Sequence, residues 1–302
     1  MVKEEFFQEE ERNGFVIEGM MKKAWAVEME LADYLIHLCQ AYHLRLYASW
    51  GTLLGAVRHG GFIPWDDDMD FVMPRQDYEQ LVQLIREKKE NGTFPYYFSC
   101  LELNPEHTQP SATLLNYPSL PVPKEIQEHY QGFPYVAGVD ISVMNYVSRN
   151  PEEHDLYLAL YNTIYDLAQR FQDFCQEGTL EEYLQQVENF THTTLVRDET
   201  LKHQLWCLAG RVAGLVQEEE ADAYALYERL VRVGRKEFYP KEWYESVLWM
   251  DFETMKVPVP IGYHEVLTCY YGVEYMTPKH LPPGHDYPFY KGQEEFLRTI
   301  QK

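Results

Sequence analysis

The sequence predicts an α+β protein, a small mixed β-sheet flanked by helices and followed by a helical insert. Short stretches at 44–48, 68–73 and 136–147 carry strand-like apolar runs or the two-residue alternation of strands. Stretches at 15–44 and 74–90 repeat their apolar residues at helical spacing between those strands. From 150 to 234 the helical period continues without a strand signal. The organisation expected from these patterns is an α+β core at 1–148, a helical insert or subdomain at 149–246, and a C-terminal strand, helix and proline-rich tail at 247–302 that packs back on the core.

The chain of 302 residues accommodates one large or two modest domains. A hydrophobic content of 45% with 15% aromatics marks an ordered globular protein without low-complexity tracts. Asp plus Glu total 48 against 26 Lys plus Arg, a formal charge of −22. Such a surface repels the phosphate backbone of nucleic acid and gives no electrostatic hold on an anionic membrane. An anionic substrate must therefore be met locally, by a metal, a few basic side chains and backbone amides. The first residues lack a secretory signal and no apolar run reaches bilayer length, so the expected location is cytoplasmic, with any membrane encounter peripheral. The 5 cysteines show no zinc or redox spacing, and Cys39, Cys175, Cys207 and Cys269 are expected as buried thiols.

Between Phe15 and Leu44 the residues Met20, Ala24, Val27, Leu31, Leu35 and Leu38 define one amphipathic helix. Its mixed polar face suits packing on a sheet rather than lying on a membrane. After the strand at 44–48, Ser49-Trp50-Gly51-Thr52 turns into a brief helix. Glycine lets the backbone approach a phosphate closely, and the free amides of a helix start carry partial positive charge toward it. Arg58 and His59 close that helix, placed either to clamp phosphate oxygens or to serve as ordinary helix-end partners.

The next stretch is Asp66-Asp67-Asp68-Met69-Asp70-Phe71. In an extended segment Asp68 and Asp70 share one face while Met69 and Phe71 anchor the other. Two such carboxylates suit magnesium, which keeps several waters and is held by one or two carboxylates plus substrate phosphates. A calcium loop fits less well, because Phe71 stands where its sharp turn needs glycine. Pro74 then opens a helix that Asn91-Gly92 stops. Residues 93–135, rich in proline and aromatics, are expected as loops with short strands forming a side wall of a cleft. In the strand at 136–147, Val139, Ile141 and Val143 face one way and Asp140 and Ser142 the other; a buried aspartate there needs a hydrogen-bonding network or a metal.

Asn150-Pro-Glu-Glu153 is a helix start. Helices are expected at 151–177, 179–190, 198–217 and 218–234, with a capping box at Thr179 and Glu182 and a cap at Asp198. Tyr157, Tyr161, Tyr165, Phe171, Trp206 and Tyr227 are expected in the core of that bundle. A strand and extended segment at 249–260, a helix at 263–271 ended by Gly272, and an irregular tail complete the chain.

The stretch from Gly51-Thr52 to Asp68-Met69-Asp70-Phe71 resembles the signature of the LicD family, a branch of the nucleotidyltransferase-fold superfamily that includes the fukutin-like proteins. The resemblance extends to Val139-Asp140-Ile141-Ser142 and to the tail from Val257 through Tyr271-Gly272 and Tyr275-Met276, but not to residues 150–245. It departs where Gly272 is followed by Val273-Glu274 instead of an aspartate, which leaves Lys279 and His285 without a role. The resemblance implies a nucleotidyltransferase-like core and a transferase that moves phosphocholine or a related phospho-alditol from a CDP-activated donor. The acceptor would be a hydroxyl of a cell-envelope glycan or glycolipid, such as teichoic acid or lipopolysaccharide, and CMP would be released. Asp68, Asp70 and Asp140 would be catalytic and hold Mg2+ or Mn2+. Gly51, Thr52, Arg58, His59, Trp65 and Asp66 would contact substrate, with Trp65 and Trp50 nearest in sequence for a choline ammonium group. The other readings are a metal-dependent glycosyltransferase using an Asp-x-Asp pair and a non-catalytic calcium- or choline-binding module, although no aromatic repeat typical of the latter is present.

Overall fold

The computed structural model describes residues 3–234, 237–279 and 287–300. A hairpin of β1 (Glu10–Arg12) and β2 (Phe15–Ile17) comes first. It turns through Asn13 and Gly14, both at positive φ as a tight two-residue hairpin requires. Phe15 therefore lies in a strand, and the expected helix starts later, as α1 (Gly19–Ala41). Periodicity alone cannot separate a three-residue strand from the first turn of a following helix. The apolar face of α1, including Ala24, Val27, Leu31 and Leu35, is buried against the sheet.

The sheet collects β3 (Tyr47–Ala48), β4 (Met69–Pro74), β5 (Tyr97–Ser99), β6 (Ala112–Leu115) and β7 (Gly138–Ser148) in the order β3-β4-β7-β6-β5. Only β4 and β7 run parallel on this path; the other neighbours are antiparallel. This is the mixed sheet of an α+β fold. Between these strands lie α2 (Trp50–Arg58), α3 (Arg75–Glu90) and α4 (Lys124–His129), the last within the stretch expected as loops.

Asn150 caps α5 (Pro151–Gln169), accepting the Glu152 N–H at 3.1 Å. There follow α6 (Phe171–Glu177), α7 (Leu180–Thr191) and α8 (Leu201–Ala213). Asp198 accepts from the Thr200 N–H as the start of α8 approaches, but Thr179 makes no side-chain cap at α7. Tyr161, Leu205, Trp206 and Tyr227 share a second hydrophobic core distinct from the one beneath the sheet. The expected helix at 218–234 is instead a strand, β8 (Ala221–Ala225), followed by a short helix, α9 (Tyr227–Val233). The Ala-Asp-Ala-Tyr-Ala sequence is strand because β7 runs past its other partners. The second half of β7 offers Asn145–Ser148 for pairing, and β8 takes it, with β9 (Tyr239–Pro240) beyond.

A hairpin of β10 (Val247–Phe252) and β11 (Met255–Pro260) leads to α10 (Tyr263–Tyr271), ended by Gly272 at positive φ as expected. The tail carries a helix the pattern did not announce, α11 (Lys291–Ile300). It packs back on the core: Gln293 exchanges hydrogen bonds with the Val136 backbone, and Tyr290 stacks on Tyr135 with ring centroids 4.8 Å apart. Cys39 and Cys100 are buried, whereas Cys175 is exposed on α6, against the expectation of a buried thiol. No described helix is long and apolar enough to cross a membrane.

Candidate active site

A cavity of about 820 Å3 opens between the sheet, α2, the C-terminal segment and the insert. The parallel pairing of β4 with β7 sets its floor. Asp70 and Asp140 are register partners, so two carboxylates emerge side by side from adjacent strands into the cavity. The alternating apolar residues Met69, Phe71, Val139 and Ile141 are fully buried on the opposite face and hold both strands in place. On the other side of β7, Thr113 of β6 pairs with Asp140 and donates its hydroxyl to Asp140 Oδ1 at 2.6 Å.

Asp66, Asp67 and Asp68 precede β4 in a turn, with one oxygen of each lying within 4.8 Å of the others. Asp66 and Asp68 face the cavity. Asp67 is buried, and its Oδ2 accepts the Phe289 N–H at 2.5 Å, tethering the C-terminal segment. Trp25 Nε1 donates to the Asp66 carbonyl at 3.1 Å and fixes the turn.

Crowding on this scale has an electrostatic consequence. Burial, then Asp68 and Asp67, hold the Asp66 carboxyl well above the usual carboxylate range. Asp70 is raised likewise, by burial and then by Asp68, Asp140 and Asp66. Asp140 is raised by desolvation within the cavity, against the lowering hydrogen bond from Thr113. Behind them, Glu28 of α1 is 1% exposed, and its Oε2 has no hydrogen-bond partner among the described residues. Burial, followed by the charges of Asp68, Asp67, Asp66 and Asp140, raises its carboxyl too. An all-oxygen group of mutually repelling carboxylates is costly without a cation and matches the hard-ligand preference of magnesium or manganese. The donor set therefore fits the divalent ion expected from sequence.

The start of α2 meets the cluster directly. A Cβ on Gly51 would stand 2.1 Å from Asp66 Oδ2, so only glycine admits that carboxylate to the helix start. Trp50, just before it, holds a positive φ of 39°, a strained conformation for a non-glycine residue at the edge of the site. Gly51 lines the cavity. Thr52 is buried, and its hydroxyl accepts the Asp70 N–H at 2.8 Å, so it positions β4. Arg58 lines the cavity and donates to the Tyr275 carbonyl at 2.8 Å. His59 is outside the cavity lining, and burial, with Arg58 and Arg12 nearby, lowers its imidazole to about 4, which keeps it neutral. Trp50 and Trp65 both line the cavity; Trp50 stacks on Tyr270 at 5.8 Å. Lys279 also lines it, while His285 lies outside the described residues.

The structure thus gathers Asp66, Asp68, Asp70, Asp140, Gly51, Arg58 and Trp65 around one cavity and sets Thr52 and His59 behind its wall. Sequence reasoning missed Glu28 and Thr113. Glu28 carried a readable signal, since it falls on the same helical face as Ala24, Leu31 and Leu35, where a charged residue has no business in a simple core. Thr113 carried none, because its meeting with Asp140 depends on which strand lies beside β7.

Comparison with known proteins bears on the same residues. Residues 43–103 match the model of the LicD/FKTN/FKRP nucleotidyltransferase domain, a span that includes Gly51, Asp68 and Asp70. The chain is 27% identical over 282 residues to the lipopolysaccharide cholinephosphotransferase LicD of Haemophilus influenzae, covering 92% of this chain and 98% of that protein. A shorter match, 40% over 55 residues, joins it to the mouse and human ribitol 5-phosphate transferase FKRP, of which it covers 11%. An uncharacterised protein of Rickettsia prowazekii is 40% identical over 50 residues.

Proposed function

On the premise that this chain carries a LicD-type nucleotidyltransferase domain, we propose that it moves a substituted phosphate from a CDP-activated donor to a hydroxyl of a cell-envelope glycan and releases CMP. Its enzyme class is phosphotransferase, and the substituent is phosphocholine or a related phospho-alditol. The observation that carries the reading is the register pairing of Asp70 with Asp140, with Asp68 beside them, on the floor of a cavity large enough for a nucleotide and an acceptor.

Asp68, Asp70 and Asp140 would hold Mg2+ or Mn2+, which neutralises charge on the phosphoryl and departing oxygens. The chain's own residues supply positioning. Thr113 fixes the Asp140 carboxylate through its hydroxyl, and Thr52 fixes the backbone of Asp70. Gly51 and Arg58 form the wall beside the cluster, where donor phosphates meet backbone amides and one guanidinium. Trp50 and Trp65 present aromatic surface to the same space, suited to a quaternary ammonium substituent. The acceptor oxygen attacks phosphorus in line, the phosphorus–oxygen bond to CMP breaks, and the hydroxyl proton passes to a carboxylate of the cluster, Asp140 or Asp66. With soluble nucleotide donors the reaction belongs on the cytoplasmic side.

Calorimetric titration of CDP-choline, CDP-ribitol, CDP-glycerol and UDP-glucose, with and without magnesium, tests this. Metal-dependent binding of one CDP compound, abolished in the Asp68→Ala/Asp70→Ala variant, is the expected result. Binding of UDP-glucose alone would favour a glycosyltransferase, and no metal-dependent nucleotide binding would refute the assigned chemistry.

A further inference from the structure

Two groups on the insert side of the cavity have no part in that chemistry, Arg75 and Tyr227. Arg75 is the first residue of α3, directly after β4, and only 12% of its side chain is exposed. Its Nε and Nη2 both donate to Asn145 Oδ1, at 2.9 and 2.6 Å, and Asn145 is itself buried and anchored to the Val143 carbonyl. A neutral amide thus fixes the guanidinium without cancelling its charge. The carboxylate it does meet, Glu79, stands 3.8 Å away on an exposed side chain. Two other cavity-lining arginines have carboxylate partners of their own. Arg229 donates to Glu237 at 2.6 Å, and Arg232, itself largely exposed, pairs with Glu228.

Tyr227, the first residue of α9, is 2% exposed, and its hydroxyl has no hydrogen-bond partner among the described residues. Arg75 is near enough to lower the Tyr227 hydroxyl, against the larger raising effect of burial. Gly214, after α8, closes the back of this corner: a Cβ there would stand 3.4 Å from Arg75 Nε. A largely buried cation held by a neutral amide and a buried hydroxyl without an acceptor among the described residues, both lining one cavity, would be completed by an anion.

We propose that Arg75 and Tyr227 form an anion-binding subsite that recognises a phosphate or carboxylate carried by the acceptor glycan. Arg75 lies five residues along the chain from Asp70, a backbone separation on the order of 15 Å at strand rise, longer than the spacing of adjacent phosphates in a diphosphate. In-line transfer also requires donor and acceptor on opposite sides of the phosphorus. Gly51 and Arg58 reach the cavity from α2, whereas Arg75 reaches it from the start of α3 and Tyr227 from the start of α9 in the insert. Assigning the anion to the acceptor rests on the transferase reading; the existence of the subsite does not.

The test is direct binding, by ligand-observed NMR on the full chain in EDTA and without donor, of glucose 6-phosphate, glucuronate and methyl glucoside. Both anionic sugars are expected to bind at least tenfold more tightly than methyl glucoside. That preference is expected to vanish in Arg75→Gln, to shrink about threefold in Tyr227→Phe, and to persist in Asp68→Asn/Asp70→Asn. Equal binding of the three sugars by the wild type overturns the proposal, as does an undiminished preference in Tyr227→Phe and in a folded Arg75→Gln variant. If Arg75→Gln does not fold, Tyr227→Phe alone decides. A parallel titration of CDP-choline and CDP-ribitol with magnesium separates the two readings. Failure of donor binding with the sugar preference intact removes the transferase reading alone. Weakening of donor binding by Tyr227→Phe or Arg75→Gln, with no effect on the sugars, assigns the subsite to the donor and overturns the acceptor assignment.

Discussion

At the scale of single residues the site is a set of groups held in unfavourable surroundings. Asp70 is raised above its ordinary range by burial and three neighbouring carboxylates, so its ionised form opposes folding at neutral pH. Asp70→Asn should therefore raise the melting midpoint of the metal-free protein by a few degrees while erasing any stabilisation by added magnesium, both read by thermal unfolding with and without the ion. His59 acts with the opposite pH sense. Its imidazole is lowered to about 4 in the folded state, so the unfolded chain takes up the proton first. Its contribution to stability is complete above the ordinary histidine range and is lost as pH falls from about 6.5 toward 4. His59→Gln should flatten that part of the profile in denaturant titrations at stepped pH. The carboxylates were legible in sequence because alternation with Met69 and Phe71 places Asp68 and Asp70 on one face. The neutrality of His59 was not, since it depends on how deeply the turn after α2 is covered.

At the scale of elements, the close fit of α2 against the turn before β4 decides the shape of the site. Gly51→Ala would force the Asp66 carboxylate out of its place 2.1 Å from the new Cβ. Loss of donor binding with a folded protein is expected, measured by calorimetry beside circular dichroism; unchanged binding would show that this contact does not shape the donor site. Long periodic elements such as α1, α3, α5 and β7 were readable from sequence, with ends displaced by a few residues. The strand β8 was not. Ala221–Ala225 has alternation too brief to compete with the flanking helical pattern, and only the unpaired length of β7 makes it a strand. The helix α11 was likewise hidden behind a proline-rich approach that reads as irregular.

At the scale of the molecule, the chain's two ends are tied to the site from behind. The N-terminal hairpin contributes Arg12, which pairs with Glu253 of the turn between β10 and β11. The C-terminal segment reaches Asp67 through Phe289 and the approach to β7 through Tyr290, which stacks on Tyr135. Tyr290→Ala removes a buried ring and should cost about 3 kcal/mol in urea unfolding. It should also loosen the Asp67 tether and so weaken metal binding, measured as a smaller magnesium-induced shift in the melting midpoint. The general acidity argues against a nucleic-acid partner, and it makes the few under-neutralised cations of the cavity more informative than they would be on a basic protein.

The length of β7 has one more consequence. Its first half carries Asp140 and its second half hydrogen-bonds to β8, which leads within two residues to Tyr227. One continuous ribbon of backbone therefore serves as a common ruler for the carboxylate cluster and for the insert side of the cavity, with a single irregularity between Val147 and Ser148 as its only joint in that pairing. A chimaera that exchanges the residues between β7 and β8 for those of a relative would inherit this spacing unchanged, with Asp140 and Tyr227 both kept in place.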